Sequence, residues 1–307
     1  MFLPALLALG LVIGVVASCD GVIRGGGAGD SGLYDAHSPP QDAHIGADAS
    51  TWDAGGDADA SAMPDAQEPD DGQIPVDSAL PIDGSSTGVV PPLGGSSGGS
   101  GGSVAPSGTS VTASGVSFTL VVPSSYIQTS PNRFMIVYSG TEGEATMVSN
   151  LLNVAPMVGL GDVIFAVLDG VDYNGNGAAG ATALDYVRDN YNISNDETFL
   201  LSESAGTTAG LSLGLDLRQS YFAAYWANDV TASASPSQDA ASLGFAPWGN
   251  AGPGGNFTDA NAIVNGMSTA GYRLPADAPY SGAGASTHGS PEQFISAMEF
   301  FNGKSRQ

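Results

Sequence analysis

From residue 116 onward the chain alternates short apolar runs with stretches whose apolar residues recur at helical spacing. The runs are VSFTLVV (116–122), RFMIVY (133–138), DVIFAVL (162–168), TFLL (198–201), YFAAYWA (221–227) and GFAPW (244–248). Most are apolar at successive positions rather than at every second one, the pattern of strands covered on both faces. Between them, Glu144–Val158, Thr182–Tyr191, Gly206–Leu217 and Thr258–Ala270 read as helices, and Pro291–Phe301 closes the chain as another. Leu184, Val187 and Tyr191 share one helical face, and Thr258 followed by Asp259 is a helix start. Alternating strands and helices predict an α/β fold, a mostly parallel sheet with helices on both faces. In such sheets the chemistry sits in loops at the carboxyl ends of the strands.

The first third of the chain has a different composition. Residues 20–110 hold fourteen Asp/Glu against one Arg, repeat Asp-Ala with Pro and Gly, and end in GGSSGGSGGS at 94–103. Few large apolar side chains are available there to offset chain entropy, so a disordered tether is expected. His37 and His44 fall in it as solvated side chains. The remaining 111–307 is long enough for one core. The whole chain carries a formal charge of −24, which makes nucleic acid an unsuitable partner.

At the N-terminus, Phe2–Ala17 is an apolar run short for a spanning helix and of signal-peptide length, which an ordinary secretory signal or an uncleaved anchor would also show. It ends in Val16-Ala17-Ser18-Cys19, which resembles the lipobox of bacterial lipoproteins. That resemblance implies cleavage before Cys19, a lipid on its thiol, and a bacterial cell-envelope location facing away from the cytoplasm. The expected division is a signal peptide at 1–18, an acidic then Gly/Ser-rich linker at 19–110, and a folded domain at 111–307.

Three stretches carry chemistry. SESAG (202–206) lies between a strand and a helix, VYSGTEG (137–143) follows a strand, and STHGSPEQFISAMEFF (286–301) places His288 just before the last helix. Together they resemble the α/β-hydrolase family, and within it the secreted esterases of the polyhydroxybutyrate-depolymerase and feruloyl-esterase type. The resemblance implies Ser204 as nucleophile on a strand–turn–helix elbow, with Ser202 at the position of the family's first glycine. It implies His288 as the base and the backbone N–H groups of Thr141 and Ala205 as the oxyanion hole, with Ser139 standing where the family often has His. The family's usual acid position falls in GNAGPGG (249–255), which has no carboxylate. Asp229, after the preceding strand, is the first substitute, with Asp259 and Asn250 as alternatives. Each falls between Ser204 and His288 in chain order.

The reaction implied is ester hydrolysis through an acyl-enzyme, on a small-molecule or polymeric ester, with no metal or organic cofactor. A serine peptidase or amidase would use the same groups, and a non-catalytic binding protein could retain the scaffold. Asp172-x-Asn174-x-Asn176-Gly177 matches the opening of a calcium loop, but Ala183 occupies the position of its bidentate Glu. Tyr173, Trp226, Trp248 and Tyr280 are aromatic side chains in or beside the carboxyl-end loops, available to the cleft or to packing.

Overall fold

The computed structural model describes residues 91–307. The signal-peptide, Cys19, His37 and His44 expectations, and the linker up to residue 90, lie outside the described residues.

Seven strands form one sheet in the order β1-β2-β4-β3-β5-β6-β7. They are β1 (Ala105–Ala113), β2 (Val116–Val122), β3 (Asn132–Tyr138), β4 (Ile164–Leu168), β5 (Ile193–Glu203), β6 (Ala224–Asn228) and β7 (Trp248–Ala251). Only β2 runs against its neighbours; β4, β3, β5, β6 and β7 pair in parallel. The helices are α1 (Glu144–Val154), α2 (Gly177–Asn190), α3 (Thr207–Ser212), α4 (Ala240–Leu243), α5 (Phe257–Thr269) and α6 (Pro291–Phe301). The fold is therefore the expected α/β-hydrolase-like one, a mostly parallel sheet sandwiched between helices.

The doubly apolar runs supply two cores. Phe134, Ile136 and Tyr138 of β3 face a layer formed with Leu184 and Val187 of α2, Leu211 of α3 and Ile263 of α5. Met135 and Val137, the alternate residues of the same strand, face Leu151 of α1 and Met298 and Phe301 of α6. Burying a side chain of this size removes water contact worth about 1.5–3 kcal/mol, so the sheet is held from both faces by residues that alternate along each strand.

Several boundaries differ from the sequence expectation. The strand expected at 244–248 is β7, Trp248–Ala251, and 244–247 is its approach. The helix expected at 206–217 is a 3₁₀ turn at Ser204–Gly206, then α3, then a π-helical turn at Leu213–Leu217. The largest difference is at the N-terminal edge, where β1 begins at Ala105, before the expected boundary at 111. β1 is an antiparallel edge strand on β2 whose Ser/Thr-rich sequence leaves its side chains half exposed.

Before β1, the Gly/Ser stretch is bound to the domain. Ser97 N donates to Ile193 O at 2.8 Å, and Gly101 and Gly102 N donate to Asn190 O at 3.0 and 2.8 Å. Gly94 N donates to Asp196 Oδ2 at 2.7 Å, and Arg306 Nη2 to Pro92 O at 2.8 Å. Glycine is required by proximity here: a Cβ on Gly99 would stand 2.6 Å from Tyr191 N, and one on Gly102 2.0 Å from the Tyr191 ring. A composition that reads as a flexible linker is in this case a strap pressed against the surface.

Candidate active site

β5 ends at Glu203, and the chain turns sharply into the 3₁₀ turn and α3. Ser204, at that corner, has φ of +45°, a left-handed conformation that costs a non-glycine residue roughly 1–3 kcal/mol and persists only where the surroundings enforce it. The surroundings are identifiable. Ser204 O accepts from Thr207 Oγ1 at 2.6 Å, and Thr207 Oγ1 in turn lies 2.9 Å from Thr231 Oγ1, whose hydroxyl can donate to it. Gly206 passes so close to β3 that a Cβ would lie 2.5 Å from Ser139 O.

Ser202 fills the first small position of the turn without crowding it. Its Oγ bonds Tyr225 OH at 2.9 Å inside the core, and its Cβ faces Gly210 of α3. Space that the elbow pattern usually gains from glycine before the nucleophile is gained here from glycine in the helix opposite.

His288 lies in the loop that leads into α6. Ser290 caps that helix, accepting from Gln293 N at 3.3 Å, and Pro291 occupies its first turn. The loop brings His288 Nε2 to 2.7 Å from Ser204 Oγ. Ser204 is 8% exposed, while His288 is an exposed residue, so the imidazole lies at the surface over a buried hydroxyl. A hydroxyl on an imidazole at this distance can pass its proton to the ring as the oxygen attacks.

Asp229 follows β6, is 1% exposed, and like Ser204 has a left-handed backbone, φ +48°. Its carboxylate accepts from the backbone N–H of Gly289 and from the side-chain amide of Gln293. It is thus bonded to the peptide beside His288 rather than to the ring, and it holds the loop that carries the histidine. Gln293 Oε1 in turn accepts from Gly254 N at 3.4 Å. In the sequence, Ser290 followed three residues later by Gln293 reads as a capping box. The amide goes to Asp229 instead, a role no local pattern reveals.

The two alternatives to Asp229 lie elsewhere. Asp259 sits in the first turn of α5, where its carboxylate accepts from Asn256 Nδ2 at 2.7 Å. Asn250 is fully buried in β7, its Oδ1 accepting from Ala251 N at 2.8 Å and its Nδ2 without a partner. Neither bonds His288.

The loop after β3 carries Ser139, Gly140, Thr141 and Glu142. Ser139 Oγ accepts from Gly170 N at 3.0 Å, tying this loop to the one after β4. A Cβ on Gly140 would stand 3.0 Å from Ser204 Cβ, so the loop lies against Ser204. Glu142 Oε1 accepts from Gly140 N at 2.8 Å, and burial raises the Glu142 carboxyl above its ordinary range. Thr141 is exposed beside it, and Ala205 follows Ser204 in the 3₁₀ turn.

The calcium-loop side chains have other work. Asn174 Oδ1 accepts from Thr208 Oγ1 at 3.0 Å, and Asn176 caps α2 through Ala179 N. Asp172 is exposed, and among the described residues no three His, Cys, Asp or Glu are grouped to hold a metal ion. The aromatic candidates pack. Trp226 lies against Tyr280 and Phe300, Trp248 against Arg273 and Lys304, and Tyr173 OH accepts from Ser117 N.

No protein-family description and no curated protein sequence matches this chain. Solved structures do. A thermostable esterase matches with a TM-score of 0.48 at 11% identity, over 65% of this chain and 63% of its own. A poly(3-hydroxybutyrate) depolymerase from Bordetella parapertussis matches with a TM-score of 0.41 at 14% identity, over 56% and 83%. An esterase from the planctomycete Thermogutta terrifontis matches with a TM-score of 0.42 at 13% identity, over 60% and 84%. The chain thus spans less than two thirds of the first of these. The fold assignment stands on the strand order and register given above.

Proposed function

We propose that the domain is a serine hydrolase that cleaves an ester through an acyl-enzyme. The observation that carries this reading is the 2.7 Å contact between Ser204 Oγ and His288 Nε2 at a left-handed strand-to-helix corner. Ser204 Oγ attacks the ester carbonyl carbon while its proton passes to Nε2. The tetrahedral oxyanion is met by the N–H groups of Ala205 and Thr141, each such donor being worth about 3–4 kcal/mol in the transition state. Collapse expels the alcohol, which takes the proton from the imidazolium. Water, deprotonated by the same nitrogen, then attacks the acyl carbon and releases the acid and free Ser204. Asp229 serves by fixing the His288 loop through Gly289 N–H.

One observation favours a second reading, a non-catalytic scaffold: the Asp229 carboxylate bonds the backbone and not the imidazole. A fluorophosphonate probe separates the two. Labelling of the wild-type chain that disappears in Ser204→Ala and falls at least about a hundredfold in His288→Ala supports the hydrolase. A folded wild-type chain that resists the probe supports the scaffold.

The sequence around Cys19 supports a further part of the proposal, that the domain is carried at the bacterial cell envelope on a lipid anchor.

A further inference from the structure

Glu203 is 7% exposed and immediately precedes the nucleophile, and the mechanism above gives it no task. Register explains its position. Glu203 pairs with Asn228 across β5 and β6, so the next residue on each strand is Ser204 on one side and Asp229 on the other. Asn228 Nδ2 donates to Glu203 Oε2 at 2.8 Å, and Asn228 Oδ1 accepts from Trp226 Nε1 at 3.1 Å. Asp229 directly follows Asn228, so two buried carboxyls, 7% and 1% exposed, share the ends of these paired strands.

Two ionised carboxylates offer each other no donor, and placing both in a buried site without a cation costs several kcal/mol. The ion pairs among the described residues are Arg133–Asp162, Arg218–Asp185 and Arg306–Asp196, none of them here. One proton must therefore lie between the pair. Asp229 already receives two N–H donors, from Gly289 and Gln293, whereas Glu203 receives one, from Asn228. The proton therefore belongs on Glu203.

We propose that Glu203 is a positioning residue that stays neutral and donates its O–H to Asp229, completing with Gln293 and Gly289 a three-donor clasp on the carboxylate that anchors the His288 loop. Burial, and after it the neighbouring Asp229, hold the Glu203 carboxyl well above the ordinary glutamate range, in agreement with that geometry. The titratable groups facing it are Asp229 from the loop after β6 and Glu142 from the loop after β3; both are acids and act in the same direction. Ionising Glu203 turns a donor into a second negative charge and loosens the clasp.

A raised folded-state pKa contributes stability that is present below the unfolded value of about 4.3 and is lost as pH rises through the folded value. The catalytic consequence rests on the hydrolase reading; the stability consequence does not. The full chain is compared with Glu203→Gln, whose amide can donate to Asp229 but cannot ionise, and with Glu203→Ala. Thermal unfolding and hydrolysis of a p-nitrophenyl ester are followed from pH 5 to 9. Expected is Glu203→Gln turnover within about threefold of wild type at pH 6, and about tenfold or more lost in Glu203→Ala. The Tm of wild type relative to Glu203→Gln should fall as pH rises, and the alkaline loss of turnover should shrink in Glu203→Gln. Equal damage by Gln and Ala, or Tm curves of wild type and Gln that stay parallel across the range, would overturn the proposal. If even wild type cleaves no ester and takes no fluorophosphonate, the hydrolase reading fails, and the Tm comparison alone decides whether the clasp exists.

Discussion

Gly210 sits within α3, where alanine would be the better helix former by about 1 kcal/mol. The structure explains the glycine: a Cβ there would stand 2.4 Å from Ser202 Cβ. Gly210→Ala is therefore expected to destabilise the domain by about 1–3 kcal/mol through overpacking, despite its propensity gain. Adding Ser202→Gly should recover most of that loss, short of about 1 kcal/mol for the Ser202–Tyr225 hydrogen bond. Denaturant titration of the two single variants and the double variant checks this; additive losses would mean the two positions do not share space. The pair also shows which site residues a sequence can disclose. Ser204 and His288 stand out because each is defined by its immediate neighbours, a turn after a strand and a loop before a helix. Gln293, Thr207, Thr231 and Glu203 do not, because their partners are set by strand register and by loops 24–64 residues away. Asp229 could be noticed as a carboxylate after β6, but its bond to a backbone N–H instead of the imidazole is a matter of loop geometry.

Among the elements, the central strands were legible because apolar residues on both faces leave no other use for such a run. β1 was not, since an edge strand with one neighbour buries little and its APSGTSVTA sequence lacks an apolar stripe. The strap before it is harder still. Gly and Ser at 94–103 look like a linker by composition, and only the nearness of Tyr191 shows why side chains are missing. A truncation at 111, the boundary that composition suggests, removes six of the nine residues of β1 and the Arg306–Pro92 tie. Compared with a chain beginning at 91, it should lose at least about 3 kcal/mol, or roughly 6–12 °C in Tm for a domain of this size. Equal melting temperatures would show that the strap and edge strand contribute nothing.

At the scale of the whole molecule, acidic residues outnumber basic ones 31 to 7, so any hold on an anionic membrane must come from something other than surface charge. Cys19 is the chain's one cysteine and the residue proposed to supply that hold. In a bacterial host, labelled palmitate should enter the wild-type protein and be absent from Cys19→Ala, which should also appear in the soluble fraction. Labelling unaffected by the substitution would remove the anchor from the proposal. The strap has a definite place on the sheet. It joins the domain at Ile193 and Asn190, beside the start of β5, whereas Ser204 follows that strand's other end. β3 marks the separation: Asn132 pairs at the level of Ile193 and Tyr138 at the level of Ser202, about 20 Å apart along the strands. Residues 91–102 therefore lie against the end of the sheet opposite Ser204, so contacts made there and chemistry at Ser204 are separated by the length of the central strands.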